Sequence, residues 1–154
     1  MSATRIRIPK RRTARGRLIA AARMIEQHPE NHDQDTWVAG PGSPYGLSAV
    51  ELSDSASISC GTTCCAAGWG IATTPGDLLP RGWRGTSYID AGANAFGLDY
   101  GAASVLFYSG SMPAKNTAKV LRDLAALSSA DRAALSESDM ERIIKRRWRA
   151  YDPD

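Results

Sequence analysis

Proline and glycine punctuation restricts this chain more than any other feature. Pro29, the run Gly40-Pro41-Gly42-Ser43-Pro44, the pair Pro75-Gly76, the stretch Pro80-Arg81-Gly82-Trp83-Arg84-Gly85, Gly97 and Pro113 all interrupt it. A proline disfavours helical geometry for the residue before it, and clustered glycine marks turns. The segments left between are short, and their apolar residues recur at helical spacing. A first helix is expected from Thr13 to Gln27, with Leu18, Ala22 and Ile25 on one face and Met24 beside it. A second should start at Thr62 or Thr63 and run to Ala72, before Pro75-Gly76. Ser87 offers a cap for a helix through Phe96, Asp99 caps the next, and Pro113 suits the first turn of a helix to Leu127. Ser128 with Asp131 and Ser138 with Glu141 stand at capping-box spacing. Residues 38–59 read as a long loop in which Ala49–Leu52 and Ser57–Ser59 form two short strands.

These segments predict a mainly α protein: one compact bundle of five to seven short helices with long loops and a minor two-stranded β element near residues 49–59. A chain of 154 residues forms one domain. Residues 1–12 are polar, basic and interrupted by Pro9, and read as a flexible arm attached to a domain spanning 13–154.

The net charge of +3 conceals an uneven distribution. Residues 1–23 carry eight cations and no acid, residues 24–114 two cations and nine acids, and residues 115–154 nine cations and seven acids. Arg5, Arg7, Lys10, Arg11, Arg12, Arg15 and Arg17 make the amino-terminal segment a candidate surface for a partner or for nucleic-acid phosphates. Near the other end, Met140, Ile143, Ile144, Trp148 and Tyr151 repeat at helical spacing, and Arg142, Lys145, Arg146 and Arg149 form a separate basic stripe. Such a stripe is also what a solvated face looks like, and cations suit a last helical turn. No helix-turn-helix, zinc-finger or ribonucleoprotein pattern accompanies it. No run approaches the roughly 20 apolar residues of a membrane span, and no signal peptide is evident.

Cys60, Cys64 and Cys65 fall within six residues. An odd cluster is not the framework of a disulfide-stapled secreted domain, so a reduced, cytoplasmic setting is expected. Cys60 or Cys64 could occupy a helix N-terminus, where the macrodipole favours thiolate, and Cys60 or Cys65 is the nucleophile of a cysteine-dependent alternative. The only histidines, His28 and His32, precede the cysteines, the reverse of the papain-like order. A metal site would draw on the same histidines with Cys60 and Cys64 or Cys65, but Pro29 lies between the histidines and opposes a common helical face. The reading the segment favours is packing: Gly61 turns, Cys65-Ala66-Ala67-Gly68 allows close approach, and Trp69 fills a pocket. No catalytic residue, metal or cofactor is therefore assigned. Trp37, Trp69 and Trp148 are expected as core anchors, and Trp83 as closing its loop onto the core.

Glu26, His28-Pro29-Glu30, Gln34 and Trp37, then Cys60-Gly61-Thr62, Cys65, Ala67-Gly68-Trp69, Leu98 and Leu106-Phe107 resemble a family of small helical proteins of actinobacteria and their bacteriophages, whose function is uncharacterised. The resemblance covers roughly residues 15–110. Cys64 and His32 fall at positions that the family pattern leaves free, and Gly70 stands where it has alanine. It implies a phage or actinobacterial cytoplasmic setting and supplies no reaction. With the charge pattern, it leads to the expectation of a non-enzymatic accessory protein. Its partner would be a host protein or nucleic acid, with no membrane and with self-association possible. The alternative is a cysteine-dependent enzyme.

Overall fold

The computed structural model describes residues 5–34, 38–39, 48–59, 63–79 and 88–151. The elements in chain order are β1 (Arg5–Arg7), α1 (Ala14–Gln27), β2 (Val38–Ala39), α2 (Ala49–Asp54), β3 (Ser57–Ser59), β4 (Thr63–Cys64), α3 (Ala66–Ala72), α4 (Tyr88–Phe96), α5 (Tyr100–Phe107), α6 (Ala114–Ala126), α7 (Ser129–Ala133) and α8 (Glu137–Arg147). Single 3-10 turns cover Pro29–Asn31 and Gly76–Leu78. The protein is mainly helical, with eight α-helices among the described residues. Two antiparallel strand pairs, β1 with β3 and β2 with β4, complete it.

Local chemistry accounts for most helix ends. Thr13 caps α1 by accepting from the Gly16 amide at 3.0 Å, and α1 stops at Gln27, ahead of Pro29. Asp99 caps α5 through the Gly101 amide at 3.1 Å, and Ser128 caps α7 through the Asp131 amide at 3.1 Å. Gly97 ends α4 at a φ of +67°, a conformation that strains any side chain with a Cβ.

Four expectations give way. Residues 49–52 form a helix rather than a strand, because Ser48 and Glu51 make a complete capping box. The strand at Ser57–Ser59 is present, but its partner is β1, with Ile6 opposite Ile58. Helix α3 begins at Ala66, after β4, so Thr63 lies in a strand and Cys65 stands at the N-cap. Helix α8 begins two residues early, boxed by Ser136 and Asp139 in place of Ser138 and Glu141. Thr62 and Ser87, the other expected caps, lie outside the described residues, as do Trp37 and Trp83.

The core is built by α1 on α6, α3 on α4 and α5 on α8. Every residue of α3 is buried, and Trp69 is fully so. The same holds for Leu18, Ile25, Phe96, Leu106, Leu121, Leu124 and Met140. Trp148 is partly buried, with its ring 5.9 Å from that of Tyr151.

Two glycines set the spacing of this core. A Cβ on Gly70 would sit 2.7 Å from the Phe96 ring, and one on Gly92 would sit 2.7 Å from Phe107 and 3.0 Å from the Ala67 Cβ. A side chain at position 70 therefore requires the Phe96 ring to shift. Gly70→Ala and Gly92→Ala are each expected to lower stability by about 1–3 kcal/mol, since overpacking outweighs the gain in helix propensity. Urea unfolding checks this; an unchanged or raised midpoint would show that the rings yield freely.

Candidate functional site

The amino-terminal cations do not stand off the domain. Residues 5–12, expected as an arm, pack onto it, because Arg5-Ile6-Arg7-Ile8 alternates with period two and Ile6 and Ile8 face the core. Several of the nominated cations hold the segment down. Arg5 donates to the Ser57 hydroxyl at 2.8 Å and its carbonyl at 2.7 Å, lacing β1 to β3. Lys10 reaches inward and donates to the carbonyls of Ser53 at 2.8 Å and Ala72 at 2.5 Å. Burial pushes its ammonium down to about 8, partly opposed by Asp54. Arg17 is only 7% exposed and joins α1 to α4 through the Ala95 carbonyl at 2.7 Å and to the strand segment through the Arg11 carbonyl at 3.0 Å. Arg12 pairs with Asp77 at 2.8 Å on the open surface, where such a pair contributes little.

The other cations are free for a partner. Because inward and outward residues alternate, Arg7, Pro9 and Arg11 point the same way and form one wall of a groove. The facing wall is one stripe of α1: Gly16, Ile19, Ala20, Arg23, Met24 and Gln27, spaced three and four apart. The groove encloses about 430 Å³. Its rim is cationic, from Arg7, Arg11 and Arg23, its floor is apolar, and no carboxylate of the described residues lines it. The side chains of Arg7 and Arg23 have no hydrogen-bond or ion-pair partner among the described residues, and that of Arg11 donates there only to the Lys10 carbonyl at 3.0 Å. Glu26 pairs with Arg122 and Asp77 with Arg12. Arg15 is exposed beside Arg132, away from the groove lining.

Arg23 escaped the sequence reading as a site residue, although Ile19 and Met24 mark the stripe on which it lies. Arg132 escaped as well. It is 2% exposed and donates to the carbonyls of Leu124 at 3.1 Å and Leu127 at 3.0 Å, closing the carboxyl end of α6.

The carboxy-terminal stripe is a separate surface. Arg142 pairs with Asp139 of its own helix, and Lys145, Arg146 and Arg149 are exposed. Arg147, in the same last turn, pairs with Asp123 at 2.7 Å and fastens α8 to α6. None of the α8 cations lines the groove.

Cys64 and Cys65 are buried free thiols. The amides of Ala67 and Gly68 at the start of α3 pull the Cys65 thiol down, as the nucleophile reading requires, but burial dominates and pushes it up to about 11. Burial raises Cys64 still further. His28 and His32 flank a 3-10 turn instead of sharing a helix face. His32 meets Cys64 only through a backbone bridge. Among the described residues no cluster of three or more His, Cys, Asp or Glu is placed to hold a metal ion. Cys60 lies outside them. Among the same residues no helix is long and apolar enough to cross a membrane.

Comparison with protein-family models, curated proteins and solved structures returns no match for this chain.

Proposed function

We propose that this protein is a non-enzymatic accessory factor of a bacteriophage or actinobacterium that works in the cytoplasm by binding an acidic partner protein. The groove between β1 and α1 is its main contact, and the exposed cations of α8 are a second. One observation carries this reading: three arginines converge on a groove that no carboxylate of the described residues lines, while neighbouring cations are consumed in holding the fold. A solvated basic face needs no such convergence, and unpaired arginines over apolar surface are typical of interface centres. The apolar floor favours a protein over a nucleic-acid backbone, which offers phosphates but no aliphatic side chains.

The alternative of an enzyme acting through Cys65 loses support from the depth and neutrality of that thiol. Affinity capture from host lysate after nuclease treatment tests the proposal. Capture should survive nuclease, weaken with salt, and fall at least tenfold for Arg7→Glu/Arg23→Glu. Loss of all captured protein on nuclease treatment would assign the basic surface to nucleic acid instead.

A further inference from the structure

The chemistry of the groove restricts its occupant more closely than the charge alone does. A free anion would be satisfied by the rim and would leave the half-buried Pro9 and Ile19 uncovered. Apolar surface removed from water contributes about 25 cal/mol per Å², so a ligand able to cover that floor is favoured over one that only pairs charges. The volume of about 430 Å³ lies in the range of clefts that enclose a small ligand, roughly 300–1,000 Å³, so it takes a few residues and not a folded domain. Cations stand on both walls, Arg7 and Arg11 on the strand side and Arg23 on α1, which places positive charge on either side of whatever lies between.

Resting on the binding function just proposed, the geometry points to a short acidic peptide segment as the occupant. An aliphatic side chain of leucine size covers Pro9 and Ile19, and carboxylates on both sides of it meet Arg7, Arg11 and Arg23. Guanidinium and carboxylate match as planar two-point partners, which lysine in the same places would not provide. The floor supplies selection, because an acidic segment without the apolar residue leaves it wet.

The test uses the full chain and fluorescein-labelled peptides read by anisotropy at low salt. The first peptide is a leucine flanked by two aspartates on each side; the second replaces the leucine by serine; the third replaces the aspartates by asparagine. The leucine–aspartate peptide should bind, and each substitution should weaken binding at least tenfold. Ile19→Ser should weaken the first peptide about tenfold while leaving the second unchanged, and Arg7→Glu/Arg23→Glu should abolish both, with circular dichroism confirming the fold. Equal binding of the leucine and serine peptides would overturn the inference while leaving an acid-binding surface intact. No binding of any peptide, with lysate capture still lost in Arg7→Glu/Arg23→Glu, would equally overturn it and leave the wider function standing. Displacement of the peptide by duplex DNA at equal phosphate charge would overturn it in favour of nucleic acid. Self-association in sedimentation that the same charge reversal dissolves would give the groove to a second copy of this chain.

Discussion

Iodoacetamide is expected to leave Cys64 and Cys65 unmodified in the folded protein and to label both within minutes in denaturant. Alkylation needs the thiolate. With Cys65 held at about 11, its thiolate fraction at neutral pH falls at least a hundredfold below that of a free thiol near 8.5. Cys64 is fully buried and lies still further from ionisation. Access adds a second barrier, since both sulfurs belong to the packed core and are reached only through opening. Mass spectrometry of tryptic peptides after brief exposure at pH 7 reads the outcome. Fast labelling of Cys65 in the native protein would revive the nucleophile reading, because the Ala67 and Gly68 amides favour its thiolate.

The second large effect is acid destabilisation through His32. Neither ring nitrogen has a hydrogen-bond partner among the described residues, and burial holds the imidazole down to about 4, with Asp33 partly opposing. In the unfolded chain the same group titrates near its ordinary 6.5. The sign follows from proton counts. Above 6.5 neither state holds the proton; between 6.5 and about 4 the unfolded state binds it and the native state does not. Stability is therefore complete above 6.5, falls as the pH drops toward 4, and loses about 3 kcal/mol to this group across the window. His32→Leu removes the titration and two unsatisfied nitrogens together. The variant should match the parent within about 1 kcal/mol at pH 7 and exceed it clearly at pH 4.5, by urea unfolding. Parallel pH profiles for the two proteins would show that His32 finds a proton partner on folding.

Much of the helical framework is legible in the residues themselves. Thr13 and Pro29 bracket α1, Gly97 ends α4, and Asp99, Pro113 and Ser128 open the next three helices, because each acts on its immediate neighbours. What escaped was non-local or turned on a competition between local patterns. The alternation Arg-Ile-Arg-Ile over residues 5–8 is a strand pattern, but its partner lies some fifty residues on, and three-residue strands leave almost no periodic trace. At Ala49–Leu52 the apolar content suggested a strand, while Ser48 and Glu51 decided for a helix. Thr62 and Thr63 suggest a helix start that would enclose Cys65, whereas α3 starts only after it, at Ala66; burial, which no local pattern reports, keeps that thiol neutral.

The candidate site divides in the same way. The basic amino-terminal segment is evident from composition, but its division is not. Arg17 and Lys10 turn inward because carbonyls of Ala95, Ser53 and Ala72 await them, contacts that exist only after α1, α2, α3 and α4 have packed. Arg7 and Arg11 remain outward by the strand period, and Arg23 joins them only because residues 7–11 and one stripe of α1 line the same groove.

The central claim is that this segment has two classes of cation, one holding the fold and one meeting a partner. A paired measurement tests it most directly: unfolding midpoint and anisotropy of the leucine–aspartate peptide, taken at 15 °C on Lys10→Met and on Arg7→Glu/Arg23→Glu. Lys10→Met leaves two part-buried carbonyls unmet and should lower stability by about 1–3 kcal/mol with peptide affinity unchanged within twofold. Arg7→Glu/Arg23→Glu should leave stability within about 0.5 kcal/mol and abolish binding. If the arginine variant unfolds and the lysine variant loses the peptide, the division drawn here is contradicted.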